Sequence, residues 1–367
     1  MNIIIIGAGI AGLATAWALT RRGHEVTLLE QGPIPNPLAA SGDHHRIIRR
    51  AYPAGSGYGG LITEAHAAWD DLWSDLGERH YDPRGFLCVS REAGDEAEEY
   101  LEGMREGHWP VELMDGQVAA QRYPFLDPSA IRYVYTSPNG GVLHCRRIAS
   151  GLCEWLTANG ADVRSATRVA AVDAEIGAVE LSSGERLSAD FVVLTAGAWV
   201  LKLLPQLASS LTTFRTAVAY VEPPADLKQA WSDAPVILDV GGRVDGYIVP
   251  PSGGGGLKFG TGMHKRPTGD ADADRAPAAG EGRQILSHFM PPVARIEEYR
   301  VEQVVTCAYT FTQDECFFCA SLGKALAVSA CSGHGYKFGA AVGRRVADAV
   351  LTGEVALLAR WLRAEPG

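Results

Sequence analysis

Apolar residues follow two different periods along the chain, and their order predicts the first folding unit. Residues 3–6 are four consecutive isoleucines, a pattern typical of a strand that is buried on both faces of a parallel sheet. The spacing becomes helical over residues 13–20, and a second apolar stretch at 24–30 is again typical of a strand. The chain therefore begins with a predicted strand–helix–strand unit.

The periodicity is less regular after this unit. Amphipathic helices are predicted at about 60–77 and from 146 onward, and a buried strand is predicted at 191–194. Short strands separated by glycine and proline loops dominate residues 215–300. A strand and a helix then return near the C-terminus, so the overall pattern predicts an α/β protein.

The β-rich segments interrupt the α/β pattern twice, and the length of 367 residues favours two domains. We therefore predict a discontinuous cofactor domain into which a substrate domain is inserted. The cofactor domain is placed at residues 1–80, 145–215 and 300–367, and the substrate domain at 81–144 and 216–299.

A glycine cluster lies between the first predicted strand and its helix. Gly7, Gly9 and Gly12 form G-x-G-x-x-G, which permits a tight turn, close approach of a pyrophosphate, and packing of the helix on the strand. Glu30, at the end of the second strand, can accept hydrogen bonds from the two hydroxyls of a ribose. The alternative is a tight turn with an unrelated surface glutamate. The predicted dinucleotide site also includes three neighbours: Ile10, Ala11 and Gln31.

A second glycine-rich turn, at residues 332–339, opens a helix near the C-terminus. Free N–H groups at a helix start stabilise negative charge, and a reduced flavin carries such charge at N1 and O2. NAD carries no comparable charge, so the two turns together favour FAD. Thr195, Ala196 and Gly197 end a predicted strand with small residues, which either leave room for the cofactor or form an ordinary turn.

Charge and composition narrow the class of partner. The formal net charge is -10 and the basic residues are scattered, which argues against nucleic acid or an anionic membrane and favours a small substrate. No apolar run approaches the roughly 18 residues that span a bilayer, so we expect a cytoplasmic protein. The seven cysteines are irregularly spaced, unlike a disulfide framework or a metal site, and we expect reduced thiols.

Six motifs lie in order along the chain: GAGIAG with Glu30, RIIRRAY from Arg46, TAGAW from Thr195, GGLKFG from Gly255, CAYTFTQDECF from Cys307, and SGHGYKFG from Ser332. Together they resemble the monomeric sarcosine oxidase group of the D-amino-acid-oxidase-like flavoproteins, which includes N-methyl amino acid oxidases. The resemblance covers nearly the whole chain. It implies a Rossmann-like FAD-binding domain with an inserted substrate domain of mixed β-sheet and helices.

The resemblance also implies roles for individual side chains. Arg49 and Lys337 match the residues that hold the substrate carboxylate, the arginine with a planar two-pronged grip and the lysine as a point charge. Arg46 matches an arginine beside the flavin, and Lys258 matches a lysine near flavin N5 that promotes reaction with oxygen. Tyr247 is expected to line the pocket. The alternatives are a solvated basic patch, a loop lysine and core packing of the tyrosine.

Cys307 matches the cysteine that carries FAD through a thioether to the 8α carbon of the ring in that group, and a buried strand cysteine is the alternative. Further residues of the motifs complete the predicted cofactor site: Val169, Ala196, Gly197, Trp199, Gly333, His334, Gly335 and Tyr336.

Several other residues depart from the pattern of that group. His44 and His45 either narrow the pocket or belong to a turn. His264 comes later after the predicted oxygen-activating lysine than the active-site histidine of the group, and we expect a structural or surface role for it. Cys331 stands where an aromatic residue is common, which predicts altered room near the ring.

The predicted activity is that of an FAD-dependent oxidase of a small secondary amino acid. Hydride leaves the carbon next to nitrogen for flavin N5, the imine hydrolyses, and O2 is reduced to H2O2. One alternative is a dehydrogenase that passes electrons to a quinone or a carrier protein, and another is a non-catalytic flavin-binding module. The carboxylate-binding pair argues against the module, and Lys258 argues against the dehydrogenase. The resemblance suggests a monomer, and the sequence leaves the amino acid open.

Overall fold

A computed structural model describes residues 1–329 and 332–365, so the prediction for Cys331 lies outside the described residues. The strands are, in chain order, β1 (Asn2–Ile6), β2 (Glu25–Leu29), β3 (Arg46–Arg49), β4 (Tyr81–Asp82), β5 (Phe86–Ser90), β6 (Glu112–Met114), β7 (Tyr133–Ser137), β8 (Gly140–Leu143), β9 (Asp162–Arg164), β10 (Val169–Asp173), β11 (Ala178–Leu181), β12 (Arg186–Ser188), β13 (Phe191–Leu194), β14 (Thr212–Glu222), β15 (Val236–Asp239), β16 (Gly246–Val249), β17 (Leu257–Pro267), β18 (Arg300–Phe311), β19 (Phe318–Leu322) and β20 (Ala325–Ser329).

The α-helices are α1 (Ile10–Thr20), α2 (Gly57–Leu76), α3 (Glu96–Glu106), α4 (Gly116–Arg122), α5 (Cys145–Ala158), α6 (Val200–Leu203), α7 (Lys228–Asp233), α8 (Glu281–Ser287), α9 (Gly339–Thr352) and α10 (Val355–Leu362). A short 3₁₀ helix, Gly335–Phe338, leads directly into α9.

One sheet has six strands in the order β19-β20-β13-β1-β2-β9. The isoleucines of β1 alternate between two cores, because successive side chains of a strand point to opposite faces. Ile3 and Ile5 pack in the core that contains α1, α2, α5 and α9, whereas Ile4 and Ile6 pack with β10, β11 and α6. β1 pairs in parallel with both β2 and β13. The predicted strand–helix–strand unit therefore has helices on one face and a small antiparallel sheet on the other.

The second large sheet has eight strands in the order β18-β14-β17-β16-β15-β5-β7-β6. It is mixed, since β5 and β15 run parallel while their other pairings are antiparallel. One face packs on an aromatic core that includes Phe125, Trp231, Phe259 and Phe289. A three-stranded sheet, β3-β8-β4, accompanies the two large sheets.

This architecture confirms the predicted fold class, an α/β protein with a Rossmann-like sheet, parallel except for β19, and a second, mixed sheet with helices. The domain bounds stay a prediction. The pairing of β14 with β18 along their length, within the eight-stranded sheet, favours placing both strands in the substrate domain. The predicted bounds at 215/216 and 299/300 would then move to the outer ends of these two strands. Among the described residues, no helix has both the length and the apolar character needed to cross a bilayer.

Candidate active site

A cavity of about 860 Å³ lies between the two large sheets. The six-stranded sheet contributes the carboxyl ends of β1, β2 and β13, the usual place for a ligand in parallel sheets, and the second sheet contributes β14, β16 and β18. The volume is in the range of about 300–1,000 Å³ that is typical of small-molecule sites. The wall brings together most of the predicted site residues: Gly7, Gly9, Ile10, Ala11, Glu30, Gln31, Arg46, Arg49, Val169, Ala196, Gly197, Trp199, Tyr247, Gly333, His334, Gly335, Tyr336 and Lys337.

Gly12 does not line the cavity but fixes the shape of the first turn. A Cβ atom on Gly12 would lie 1.9 Å from the carbonyl oxygen of Gly7 and 2.6 Å from Oγ1 of Thr195. Thr195 Oγ1 donates to the carbonyl oxygens of Ile6 and Gly7, at 3.1 Å in both cases. Gly7 itself has φ +101°, which side chains rarely adopt. The first turn of α1 is thus held against the strand ends, and its N-terminus faces the cavity.

The start of α9 meets the start of α1 at this cavity. A Cβ atom on Gly339 would lie 2.3 Å from Cγ1 of Ile10, so the two helix starts approach each other closely only because residue 339 is glycine. The residues just before α9, from Ser332 to Lys337, line the same cavity. Two sets of helix-start N–H groups are therefore available to anionic groups of one ligand.

Glu30 is buried, and its carboxylate has a defined set of donors. Oε2 accepts from the Ala8 N–H at 2.9 Å, and Oε1 accepts from the Gly32 N–H at 3.0 Å and from Nδ2 of Asn36 at 2.9 Å. A carboxylate has about four acceptor positions, so capacity remains for a ribose hydroxyl at the cavity wall. The two turns and this acid fit the phosphates, the flavin and the ribose of FAD.

A buried ion cluster lies behind the wall. Nζ of Lys258 donates to Oδ2 of Asp43 at 3.1 Å and to the His45 carbonyl oxygen at 2.6 Å, and Arg46 Nη1 donates to the same Asp43 oxygen at 2.7 Å. Tyr220 donates its hydroxyl to Oδ1 of Asp43 at 2.6 Å. The predicted oxygen-activating lysine is therefore fully buried and does not line the cavity.

Asp43 was not among the predicted site residues, although it stands three positions before Arg46 in a polar segment. Burial disfavours its charge, but Lys258 and Arg46 outweigh burial and hold the pKa of this carboxyl well below its usual range. Burial lowers the pKa of Lys258, and Asp43 opposes that effect. The cluster keeps a cation in a site that excludes water.

Arg49 and Lys337 both line the cavity and flank the ring of Tyr52. The guanidinium carbon of Arg49 lies 4.5 Å from the ring centroids of Tyr52 and of Tyr100, and Nη2 donates to the Tyr100 hydroxyl at 3.0 Å. Nη1 of Arg49 is buried and has no hydrogen-bond partner among the described residues. Nζ of Lys337 lies 5.7 Å from the Tyr52 centroid, and burial together with Arg49 holds its pKa well below the ordinary value. The pair can bind an anionic group in the cavity.

Cys307 is almost fully buried on β18 and does not line the cavity. It lies two residues from Tyr309 and four from Phe311, which do line the cavity, so all three share one face of the strand. Burial raises the pKa of the Cys307 thiol, and Arg46 opposes that rise. The thiol is therefore next to the cavity and close to a cation.

Of the histidines discussed from the sequence, one lines the cavity and three do not. His334 lines the cavity, whereas His44 and His45 do not; His45 is buried and bonds the Gly256 carbonyl through Nε2 at 3.1 Å. His264 lies away from the cavity, with its Nε2 3.2 Å from Nε2 of His288.

Tyr247 lines the cavity, as predicted, and packs over Gly260. A Cβ atom on Gly260 would lie 2.5 Å from the hydroxyl oxygen of Tyr247.

Comparison with known proteins identifies the family. The profile of the family described as DAO, FAD dependent oxidoreductase, matches residues 2–349. The protein belongs to this family of FAD-dependent oxidoreductases. FAD is therefore its cofactor, and the two helix starts with Glu30 are the residues that would hold it.

Two curated relatives and one solved structure are similar to this oxidoreductase over most of its length. Monomeric sarcosine oxidase of Bacillus sp. (strain B-0618) is 27% identical over 96% of this chain and 93% of its own. N-methyl-L-tryptophan oxidase of Yersinia pestis (strain Pestoides F) is 26% identical over 93% of this chain and 92% of its own. NikD, an unusual amino acid oxidase essential for nikkomycin biosynthesis, shares the fold, with a TM-score of 0.80 and 20% identity over 98% of this chain and 96% of its own.

Proposed function

We propose that this FAD-dependent oxidoreductase oxidises a small secondary (N-alkyl) amino acid with O2 as the electron acceptor. The observation that carries the proposal is the pair formed by Arg49 and Lys337, which lies on the same cavity as the two helix starts that suit FAD. Sarcosine and N-methyl-L-tryptophan, the compounds in the names of the two relatives, are both N-methyl amino acids and fit such a pair.

The chain's own residues act by binding and positioning. The free Nη1 of Arg49 and Nζ of Lys337 receive the substrate carboxylate, while Tyr52 and Tyr100 hold the guanidinium in place. This fixes the amine and its neighbouring carbon relative to the cofactor. When bound, FAD supplies the two-electron oxidation of the carbon–nitrogen bond and its own reoxidation by O2. The Asp43, Arg46 and Lys258 cluster supplies buried positive charge behind the wall, which stabilises negative charge that develops during reaction with oxygen.

Peroxide formation tests the proposal. We expect the holoenzyme in air to consume O2 and release about one equivalent of H2O2 per N-methyl amino acid oxidised. An oxygen electrode with a peroxidase-coupled dye measures both quantities. Substrate-dependent reduction of a quinone or dye without peroxide would instead make the protein a dehydrogenase, and the absence of any oxidation across N-alkyl amino acids would contradict the proposal.

We also propose that the amino acid and O2 are its partners, and that the enzyme is a cytoplasmic monomer. Light scattering after size exclusion tests the monomer, which predicts a mass near 39.2 kDa. A mass of about twice that value would contradict it.

Cys307 is proposed to carry FAD covalently, because its thiol shares the face of β18 that lines the cavity. We expect acid precipitation of the wild-type protein to leave the yellow colour in the pellet, and precipitation of Cys307→Ser to release it into the supernatant. Cys319→Ser, a partly buried cysteine away from the cavity, is the control and should behave like the wild type. Complete release of flavin from the wild type would show that no such bond forms.

A further inference from the structure

One stretch of the cavity wall carries two carboxylates without a cationic partner among the described residues. It is formed by Glu96 at the start of α3 and by Asp245 in the turn before β16, and both line the cavity. The Asp245 carboxylate occupies the space beside Gly262, where a Cβ would lie 1.7 Å from Oδ2. Any other residue at 262 would displace it.

Asp245 is held in an unfavourable backbone conformation to point this way. Its φ is +44°, in the left-handed region that few residues other than glycine adopt. Its carboxylate makes no hydrogen bond or ion pair within the part of the chain that the structure describes. A strained, accessible carboxylate at the wall of a binding cavity is available to a ligand.

A third acid, Asp239, lies behind this wall at the end of β15. It is 1% exposed, and neither carboxylate oxygen has a hydrogen-bond partner among the described side chains and backbone groups. Burial and the neighbouring Glu96 raise the pKa of Asp239 to about 8. This buried acid thus adjoins the two acids of the wall, although burying a carboxylate without a partner is unfavourable.

The nearby cations do not neutralise the carboxylates of Asp245 and Glu96. Nζ of Lys265 on β17 pairs with Glu315 at 2.9 Å, so these two side chains neutralise each other. Arg49 is the other cation that acts on Asp245, and in the proposed function it binds the substrate carboxylate. Glu96 accepts a hydrogen bond from the Tyr100 hydroxyl, which carries no charge. Once a carboxylate is bound, Asp245 and Glu96 therefore face the cavity without a counter-charge.

We propose that the substrate is an amino acid with a second cationic group, an ammonium or guanidinium, which binds at Asp245 and Glu96 while the carboxylate binds Arg49 and Lys337. The inference rests on the proposed function and narrows its substrate class. A dicarboxylic amino acid is disfavoured at this wall by charge repulsion, and an apolar side chain leaves both acids without a counter-charge.

Matched carboxylates that carry no amine on the carbon next to the carboxylate test this directly under anaerobic conditions. The absorbance spectrum of the bound flavin is titrated in the holoenzyme with 6-aminohexanoate and hexanoate, and with 4-aminobutanoate and butanoate. We expect the better amino compound to bind at least about tenfold more tightly than its alkyl counterpart. In Asp245→Asn and in Glu96→Gln the difference should fall to about twofold, with the affinity for the alkyl carboxylates retained. Glu99→Gln, an exposed acid on the same helix, is the control and should keep the wild-type difference.

The outcomes separate the two proposals. Two outcomes would overturn the substrate class: equal affinities for the amino and alkyl compounds in the wild type, or the full wild-type difference in affinity in both variants. Neither outcome would contradict the binding of the carboxylate by Arg49 and Lys337. If neither type of carboxylate perturbs the flavin, the proposed function fails and the inference fails with it.

The preference should also depend on pH. Partial loss of hydration at the cavity wall and the charge of Glu96 raise the pKa of Asp245 to about 6, with Lys265, Glu315 and Arg49 as the other charged groups that act on it. Because the carboxylate is ionised only above this pKa, the tenfold preference should be present at pH 7.5 and be lost progressively as the pH falls below about 6. A preference that is unchanged at pH 5 would contradict the role of Asp245.

Discussion

Arg49→Met is expected to lower kcat/KM for the best amino acid substrate by about 10²- to 10³-fold, while the flavin stays bound. Removing one side of a buried charge pair costs about 2–5 kcal/mol, and each 1.36 kcal/mol is about tenfold in rate. The buried Nη1 of Arg49 has no partner among the described residues, so a bound carboxylate would supply the missing acceptor. Steady-state oxygen consumption measures the effect, and flavin absorbance checks that the cofactor remains.

The neighbouring arginine provides the control for this prediction. Arg50 does not line the cavity; its Nη1 donates to Oγ1 of Thr63 at 2.9 Å, and its guanidinium lies 4.2 Å from the centroid of Trp109. Arg50→Met should change kcat/KM less than about threefold. An equal loss in both variants, or an equal loss for an amine that lacks a carboxylate, would show that Arg49 does not bind the carboxylate.

Gly12→Ala is the second substitution with a large expected effect. The new Cβ would lie 1.9 Å from the Gly7 carbonyl oxygen, so the backbone of the first turn must move away from the strand ends. We expect a loss of about 3 kcal/mol in the free energy of unfolding of the apoprotein, since overpacking usually costs about 1–3 kcal/mol and backbone cannot yield like a side chain. We also expect a protein nearly free of FAD, measured as the ratio of flavin absorbance to absorbance at 280 nm.

Gly60→Ala is the matched control for this substitution. Gly60 is an exposed residue of α2, and a Cβ there meets no atom within 4 Å. The variant should bind FAD fully and gain up to about 1 kcal/mol of stability, because alanine favours a helix more than glycine does. If Gly12→Ala keeps its FAD and its stability as Gly60→Ala does, close packing at this turn is not required.

The local features of the fold could be predicted from the sequence. The isoleucine run, the glycine turn and Glu30 are all determined by residues within about thirty positions of one another, and their periodicity is strong. The second glycine-rich turn, at residues 332–339 before α9, is likewise determined by residues that are close in sequence. That both turns meet at one cavity depends on the fit of Gly339 against Ile10, which no local pattern contains.

The long-range features could not be predicted in the same way. Lys258 stands two positions after a run of four glycines, a pattern typical of a loop, yet it lies in β17 and binds Asp43, which is 215 positions away. The buried position of Lys258 follows from the pairing of β17 with β14 and β16. Likewise, the position of Asp245 beside Gly262 depends on strand pairing, so the acidic wall has no signature in the sequence.

Anaerobic mixing of the holoenzyme with N-methyl amino acids is the most direct test of the central claim, that an amino acid held by Arg49 and Lys337 is oxidised by FAD in this cavity. The account predicts that the flavin absorbance near 450 nm bleaches fully with at least one basic N-methyl amino acid, and more than about a hundredfold more slowly in Arg49→Met. A flavin that stays oxidised with every N-alkyl amino acid, or that bleaches equally fast in Arg49→Met, would contradict it.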